Sequence, residues 1–219
     1  MLALIKKDIS LSLRSLLQSA VVAAIAVLAF SRLESGVAFV SVWSLMIPYS
    51  YALMTCYTEE LNNGLVFCRS LPIPPSMIVW SKFVGSLSVT LASGAYVSLL
   101  GLFAIRVGWL KVGDGWLLFR AIAVPWTALF VIHGILFFLF FKYGYKRAQS
   151  VASMLPLVFL VPLILPGSTR HQISSFFTRI FGKSPDPDVV ILALAAFGLV
   201  VEAVLTWCAA EVFERKDVA

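Results

Sequence analysis

Charged residues are scarce in this sequence. Only 13% of its 219 residues are Asp, Glu, Lys or Arg, whereas about a quarter would be expected in a soluble domain. Hydrophobic residues make up 60%, and the mean hydropathy is +0.95. This excludes an ordinary soluble domain. Because one membrane crossing takes about 20 apolar residues, the length suits about six crossings with no sizeable soluble domain beside them.

Cysteine and histidine are also few. The three cysteines, Cys56, Cys68 and Cys208, are odd in number and far apart, which favours neither a disulfide framework nor a metal site. The two histidines, His133 and His171, lie in different regions, and no His/Cys/carboxylate group has the spacing of a zinc site. The sequence therefore predicts no metal, and the cysteines are interpreted as small apolar side chains.

A phosphate-binding loop of the form G-x-x-x-x-G-K-[ST] is missing. Gly182-Lys183-Ser184 matches only its end, and Phe177 stands where the first glycine should be. The chain is thus predicted to have no ATP site of its own. Its formal charge of +6 comes from basic residues scattered in pairs between apolar runs. This pattern is typical of membrane-flanking charge and not of a nucleic-acid surface.

What is present is a series of apolar runs, which predicts an all-α, polytopic membrane protein forming a single transmembrane domain over residues 1–219. An amphipathic helix is predicted for residues 1–17, since apolar residues recur there at spacings of three and four. A polar loop at residues 167–187 is predicted on the outer side. The six predicted spans cover residues 18–30, 37–57, 83–105, 116–141, 150–166 and 188–213.

The distribution of basic residues predicts the orientation. With a cytoplasmic N-terminus, ten of the 17 lysines and arginines fall on the cytoplasmic side and seven on the other. Cytoplasmic segments carry the excess of Lys and Arg in membrane proteins. We therefore expect a multi-pass protein of the cell (plasma) membrane with both termini in the cytoplasm.

A polar island at residues 58–75 separates the second and third spans. It suits a short cytoplasmic helix that ends at Pro72, and such a helix would form a docking surface for a partner. The alternative from spacing alone is a capped loop whose charges only anchor the membrane boundary. The candidate docking residues are Thr58, Glu59, Glu60, Leu61, Asn62, Asn63, Leu65, Phe67 and Arg69.

The island and the N-terminus resemble the permease subunits of type-two ATP-binding-cassette exporters, in the small six-span bacterial branch. The resemblance lies in the basic amphipathic start and in EELNNGLVFCRSLPIPPSMIVWSKF: an acidic pair, then Arg69-Ser70-Leu71-Pro72, then Ile78-Val79 and Lys82. The sequence departs from the family pattern at Pro74-Pro75, where polar or basic residues are commoner.

The resemblance implies a division of labour between chains. Residues 58–75 would form the coupling helix and the turn after it, with Glu59 and Glu60 facing basic or amide groups of a separate ATPase. Residues 1–17 would form the elbow helix. ATP and Mg²⁺ would bind two copies of that ATPase, and a second permease chain, identical or different, would complete the transporter. The cargo implied by an apolar pathway is a hydrophobic or amphipathic peptide, lipid or drug-like molecule.

Three residues within the spans could serve function. Glu202 lies near the middle of the sixth span, where an ionised carboxylate is costly unless paired or hydrated. His133 and Arg120 of the fourth span are its possible partners. These residues are expected in the translocation path or at a permease dimer interface, or else in a structural hydrogen bond between helices. The phenylalanines of residues 137–141 are expected to contact lipid or pack in the core.

Two other function classes stay open at this stage. The same helices could serve a membrane assembly or immunity protein that transports nothing. An intramembrane enzyme is disfavoured, because no nucleophile, base or metal pair recurs at one membrane depth.

Overall fold

The computed structural model describes residues 1–32, 36–110, 115–164 and 187–215. Within these ranges the chain forms helices and no strand, which confirms the all-α prediction. The helices are α1 Leu2–Phe30, α2 Gly36–Leu61, α3 Gly64–Ser70, α4 Pro75–Arg106, α5 Gly115–Tyr143, α6 Tyr145–Ile164 and α7 Pro187–Arg215.

Five helices of the described residues are long and apolar enough to cross a membrane. These segments are Leu2–Phe30, Phe39–Leu61, Pro75–Arg106, Leu118–Tyr143 and Asp188–Arg215. The protein is therefore a multi-pass membrane protein. The fifth predicted span, residues 150–166, falls on α6 but ends outside the described residues, so a count of six spans stays a prediction. Residues 167–186 of the predicted outer loop also lie outside them.

The first helix differs from the prediction. Residues 1–17 and the first span were expected to be separate helices with a turn between them, but α1 runs without a break from Leu2 to Phe30. The polar residues of its first half do not end it because no proline or glycine interrupts the hydrogen-bond ladder. Its 29 residues correspond to a length of about 43 Å.

The polar island is divided between two helices. Its first four residues belong to α2, which ends at Leu61, and the short helix α3 covers only Gly64–Ser70. Asn63 makes the break, since its backbone is left-handed with φ of 50°, a conformation that Asn tolerates better than most residues. The predicted helix from Thr58 to a stop at Pro72 is thus divided in two, and Gly64 begins α3.

The basic segment at residues 142–147, between the fourth and fifth predicted spans, is almost entirely helical. A single residue, Gly144, separates α5 from α6, and its φ of +86° is readily adopted only by glycine. Two helices therefore meet at one residue, which fixes the side chains around this junction relative to one another.

Small residues let the helices pack closely in the bundle. A Cβ on Gly198 of α7 would lie 2.9 Å from the carbonyl oxygen of Thr127 on α5, and one on Gly134 would lie 3.1 Å from the Cα of Glu202. Such contacts are typical of helix pairs in membranes. Phe137, Phe140 and Phe141 of α5 are buried in an apolar core with residues of α2, α4 and α7, so the expectation of core packing is confirmed for these three.

Candidate functional site

Four charged side chains meet at the end of the bundle that carries α3. Lys82 of α4 and Asp8 of α1 are only 1% and 2% exposed, and their Nζ and Oδ2 atoms lie 3.0 Å apart. Glu59 of α2 is 3% exposed, and its Oε1 lies 3.2 Å from the Lys82 Nζ. Three helices are therefore joined by one buried ammonium group between two carboxylates.

Lys7 completes this charge cluster from the first turns of α1. Its Nζ donates a hydrogen bond to the Oε1 of Glu59 at 2.7 Å and lies 3.2 Å from the Oδ1 of Asp8. The same amine also donates to the Sγ of Cys68 on α3 at 3.7 Å. Lys7, Asp8, Glu59 and Lys82 together, called the charge cluster below, hold two positive and two negative charges. Such balance is what keeps buried charge tolerable.

The structure corrects the expectation for Glu59. Its carboxylate was expected to face an ATPase, but it points into the subunit and pairs with Lys7 and Lys82. Sequence reasoning placed Lys82 at the start of the third span and gave Asp8 no role. The available signal was that Lys82 follows the apolar run Ile78-Val79 and precedes Phe83, an unusual setting for a solvated lysine.

The side of α3 opposite to Cys68 faces outward and is apolar. Leu61, Val66 and Phe67 are 64%, 53% and 63% exposed, and Asn62 and Asn63 beside them are also exposed. Leu65 and Cys68 on the inner side pack into the core. The five exposed residues Leu61, Asn62, Asn63, Val66 and Phe67 are called the docking surface below.

The remaining predicted docking residues make contacts within the subunit. Glu60 is exposed, but its carboxylate accepts a hydrogen bond from the backbone N–H of Tyr145, at the N-terminus of α6 where the helix dipole favours an acid. Arg69 donates to the carbonyl oxygen of Phe213 and lies 4.5 Å from the centre of its ring. Thr58 donates its hydroxyl to the carbonyl oxygen of Met54. Glu60 and Arg69 thus attach the ends of α2 and α3 to α6 and α7, whereas Thr58 bonds within α2.

Glu202 and His133 lie side by side inside the bundle. Both are fully buried, with the Nδ1 of His133 3.7 Å from the Oε1 of Glu202. Ser86 of α4, which sequence reasoning did not single out, donates to the same oxygen at 3.1 Å. The second Glu202 oxygen and both ring nitrogens of His133 have no hydrogen-bond partner among the described residues.

This internal position bears on the predicted role of the pair. Because neither side chain is exposed, the expectation of a dimer-interface contact is not met in this conformation. The pair connects α4, α5 and α7, and a place in the translocation path remains a prediction. The structure does not bring Arg120 to this pair. Arg120 instead binds Asp188 through two nitrogens at 2.6 and 2.9 Å, and Trp116 donates to the same carboxylate at 3.0 Å.

Cys68 offers a test of how α3 sits on the subunit. Burial raises the pKa of its thiol, and the ammonium group of Lys7 acts in the opposite direction without cancelling the rise. Since only the thiolate reacts, we expect Cys68 to react with maleimide at pH 7 at least about tenfold more slowly than an exposed cysteine. Raising the pH should speed the reaction, as the thiolate fraction grows.

The measurement uses two matched chains in which Cys56 and Cys208 are replaced by alanine. One keeps Cys68, and the other carries Cys68→Ala with Phe67→Cys, which moves the thiol to the exposed side of the same helix. Equal labelling rates by mass spectrometry would show that α3 does not pack on the subunit with Cys68 inward.

Comparison with known proteins gives one match. A family model described as ABC-2 family transporter protein matches residues 3–209, which is nearly the whole chain and includes the charge cluster, the docking surface and the Glu202–His133 pair. No curated protein matches the chain, and neither does any solved structure.

Proposed function

The chain belongs to the ABC-2 family of transporter proteins and is a membrane permease subunit, and we propose that it works as an exporter powered by a separate ATPase that binds the docking surface. The residues of the docking surface lie at a junction between two candidate spans and expose large apolar side chains next to amides. Exposed apolar side chains at the polar end of a bundle are typical of a protein interface. This exposure is the observation that carries the proposal.

The charge cluster gives the docking surface a connection to the rest of the subunit. Glu59 lies two residues before Leu61, the first residue of the docking surface. A force on the docking surface therefore acts on the carboxylate that binds Lys82 and Lys7. Those two lysines belong to α4 and α1. Displacement of the docking surface would therefore move three helices together, which is the mechanical link that an ATP-driven conformational change requires.

The rest of the proposed assembly is supported by the family resemblance and by the distribution of charge in the sequence. Two ATPase copies would bind ATP and Mg²⁺, and two permease chains, identical or different, would enclose the pathway. The docking surface and both termini would face the cytoplasm in a plasma membrane, as the bias of 10 basic residues against seven favours. The proposed cargo is a hydrophobic or amphipathic molecule, since the described spans consist largely of apolar residues.

Phe67→Asp tests the docking surface. The change places a charge at an exposed apolar side chain, and loss of a central aromatic contact costs about 2 kcal/mol or more at an interface. We expect the affinity for the proposed partner, an ATP-binding-cassette ATPase, to fall by about thirtyfold. The measurement is co-purification of the two proteins after co-expression, followed by titration of the purified permease with the ATPase.

Val107→Asp is the matched control. Val107 is also exposed and apolar, but it follows α4 at the end opposite to Pro75 and α3, so ATPase binding should be unchanged. Undiminished binding by the Phe67→Asp chain would refute the docking proposal. Absence of any ATPase binding by the unaltered chain would favour a membrane protein that transports nothing.

A further inference from the structure

An open groove lies between the end of α5 and the start of α6. Its volume is 570 Å³, within the range of about 300–1,000 Å³ that small-molecule sites occupy. The groove is distinct from both the docking surface and the Glu202–His133 pair. The residues that line it are Leu139, Tyr143, Lys146, Arg147, Ser150 and Val151.

The groove is lined by two cations. Lys146 and Arg147 are exposed, and in the described part of the chain neither forms an ion pair. The guanidinium of Arg147 lies 5.8 Å from the ring centre of Tyr143, which places it over the wall of the groove. The acid that contacts the start of α6 is Glu60, and its carboxylate accepts a hydrogen bond from the backbone N–H of Tyr145. The groove therefore offers two positive charges to a ligand.

The apolar residues of the groove lie toward the membrane. The candidate span Leu118–Tyr143 ends at Tyr143, so Leu139 is one turn inside the span, while Lys146 and Arg147 lie beyond its end. Tyrosine is enriched at this depth, where its ring meets the headgroups. The groove thus changes from apolar to basic across the membrane boundary, as a phospholipid changes from acyl chain to phosphate.

The junction at Gly144 holds this arrangement in place. Because one residue separates the helices, the first turn of α6 stays next to the last turn of α5. On the inner side of that turn, Ala148 and Ala152 are buried in the core. The outer side, with Lys146, Arg147 and Ser150, is consequently held facing the groove.

We propose that this groove binds an anionic phospholipid of the surrounding bilayer, with its phosphate at Lys146 and Arg147 and an acyl chain along Leu139 and Val151. Basic pockets between helices at a membrane surface recognise anionic headgroups in this way. The charge of the two cations selects an anionic lipid over a zwitterionic one, and the apolar wall selects a lipid over a free anion. The site does not depend on the exporter proposal, because it requires no partner protein.

Native mass spectrometry of the purified full-length chain in mild detergent tests the proposal. Dioleoylphosphatidylglycerol and dioleoylphosphatidylcholine are titrated separately, and the first is expected to bind saturably and more tightly. Since each basic residue contributes about 1 kcal/mol near an anionic surface, Lys146→Gln with Arg147→Gln should weaken phosphatidylglycerol binding by between about tenfold and about thirtyfold. Lys146→Arg with Arg147→Lys keeps both charges and should retain it.

Lys6→Gln with Arg14→Gln is the control, since it removes one lysine and one arginine that are likewise exposed but lie on α1. Equal loss in both double variants would show that only the net charge matters and would overturn the site. So would equal binding of the two lipids by the unaltered chain. Displacement of phosphatidylglycerol by soluble glycerol 3-phosphate at similar concentrations would assign the groove to free anions instead. If the double glutamine variant does not fold, Val151→Glu places an acid in the same groove and should give the same loss.

Discussion

Lys82→Met is expected to lower the free energy of unfolding by about 3–5 kcal/mol, the typical cost of removing one partner from a buried ion pair. Methionine fills a similar volume, so the loss comes from charge and not from a cavity. Asp8 and Glu59 would remain as two buried carboxylates with Lys7 alone to balance them. Reversible unfolding of the purified chain in mixed micelles of a mild detergent and sodium dodecyl sulfate measures the change.

Two further variants isolate the charge imbalance. Lys6→Met removes an exposed lysine from the turn of α1 next to the cluster and should leave the unfolding free energy nearly unchanged. Asp8→Asn combined with Lys82→Met removes one charge of each sign and should recover most of the loss, to within about 2 kcal/mol of the unaltered chain. If the double variant were as unstable as Lys82→Met alone, charge balance would not be what Lys82 provides.

Gly198→Val is expected to destabilise the bundle by about 3 kcal/mol, the upper part of the usual range for overpacking. The added Cβ would lie 2.9 Å from the carbonyl oxygen and 3.2 Å from the Cα of Thr127. Both are backbone atoms, so no side-chain rotation relieves the contact and α5 and α7 must separate. The same unfolding assay measures the effect.

Ala196→Val is the control on the same helix, because Ala196 is exposed. Its unfolding free energy should be close to that of the unaltered chain. Equal stability of the Gly198→Val chain would mean that α5 and α7 do not approach as closely as the structure shows.

The sequence predicted the helices well but their ends poorly. Apolar runs locate the membrane-crossing part of each helix, and the helix itself continues wherever nothing breaks its hydrogen bonds. The pair Glu59-Glu60 is polar but remains in α2, which ends at Leu61, two residues before the left-handed Asn63. Asn-Asn-Gly is a recognisable stop signal, so this boundary could have been placed more accurately from the sequence.

The two buried polar groups differ in how far they could be predicted. Glu202 and His133 each lie deep in an apolar run, and the cost of a charge there requires a partner at the same depth, which the structure supplies. Asp8 and Lys82 lie near helix ends, where charged residues are ordinarily solvated. Their burial depends on how α1, α2 and α4 pack against one another, and the local sequence does not predict that packing.

The unbroken course of α1 has a geometric consequence. Asp8 is held by Lys82 near one end of the helix, and Phe30 at the other end is about 33 Å away along the axis. If the held end acts as a pivot, a tilt of about 10° sweeps Phe30 through an arc of about 6 Å, roughly the pitch of one helical turn. A small displacement at the end that carries the charge cluster would thus be magnified at the far end of the helix.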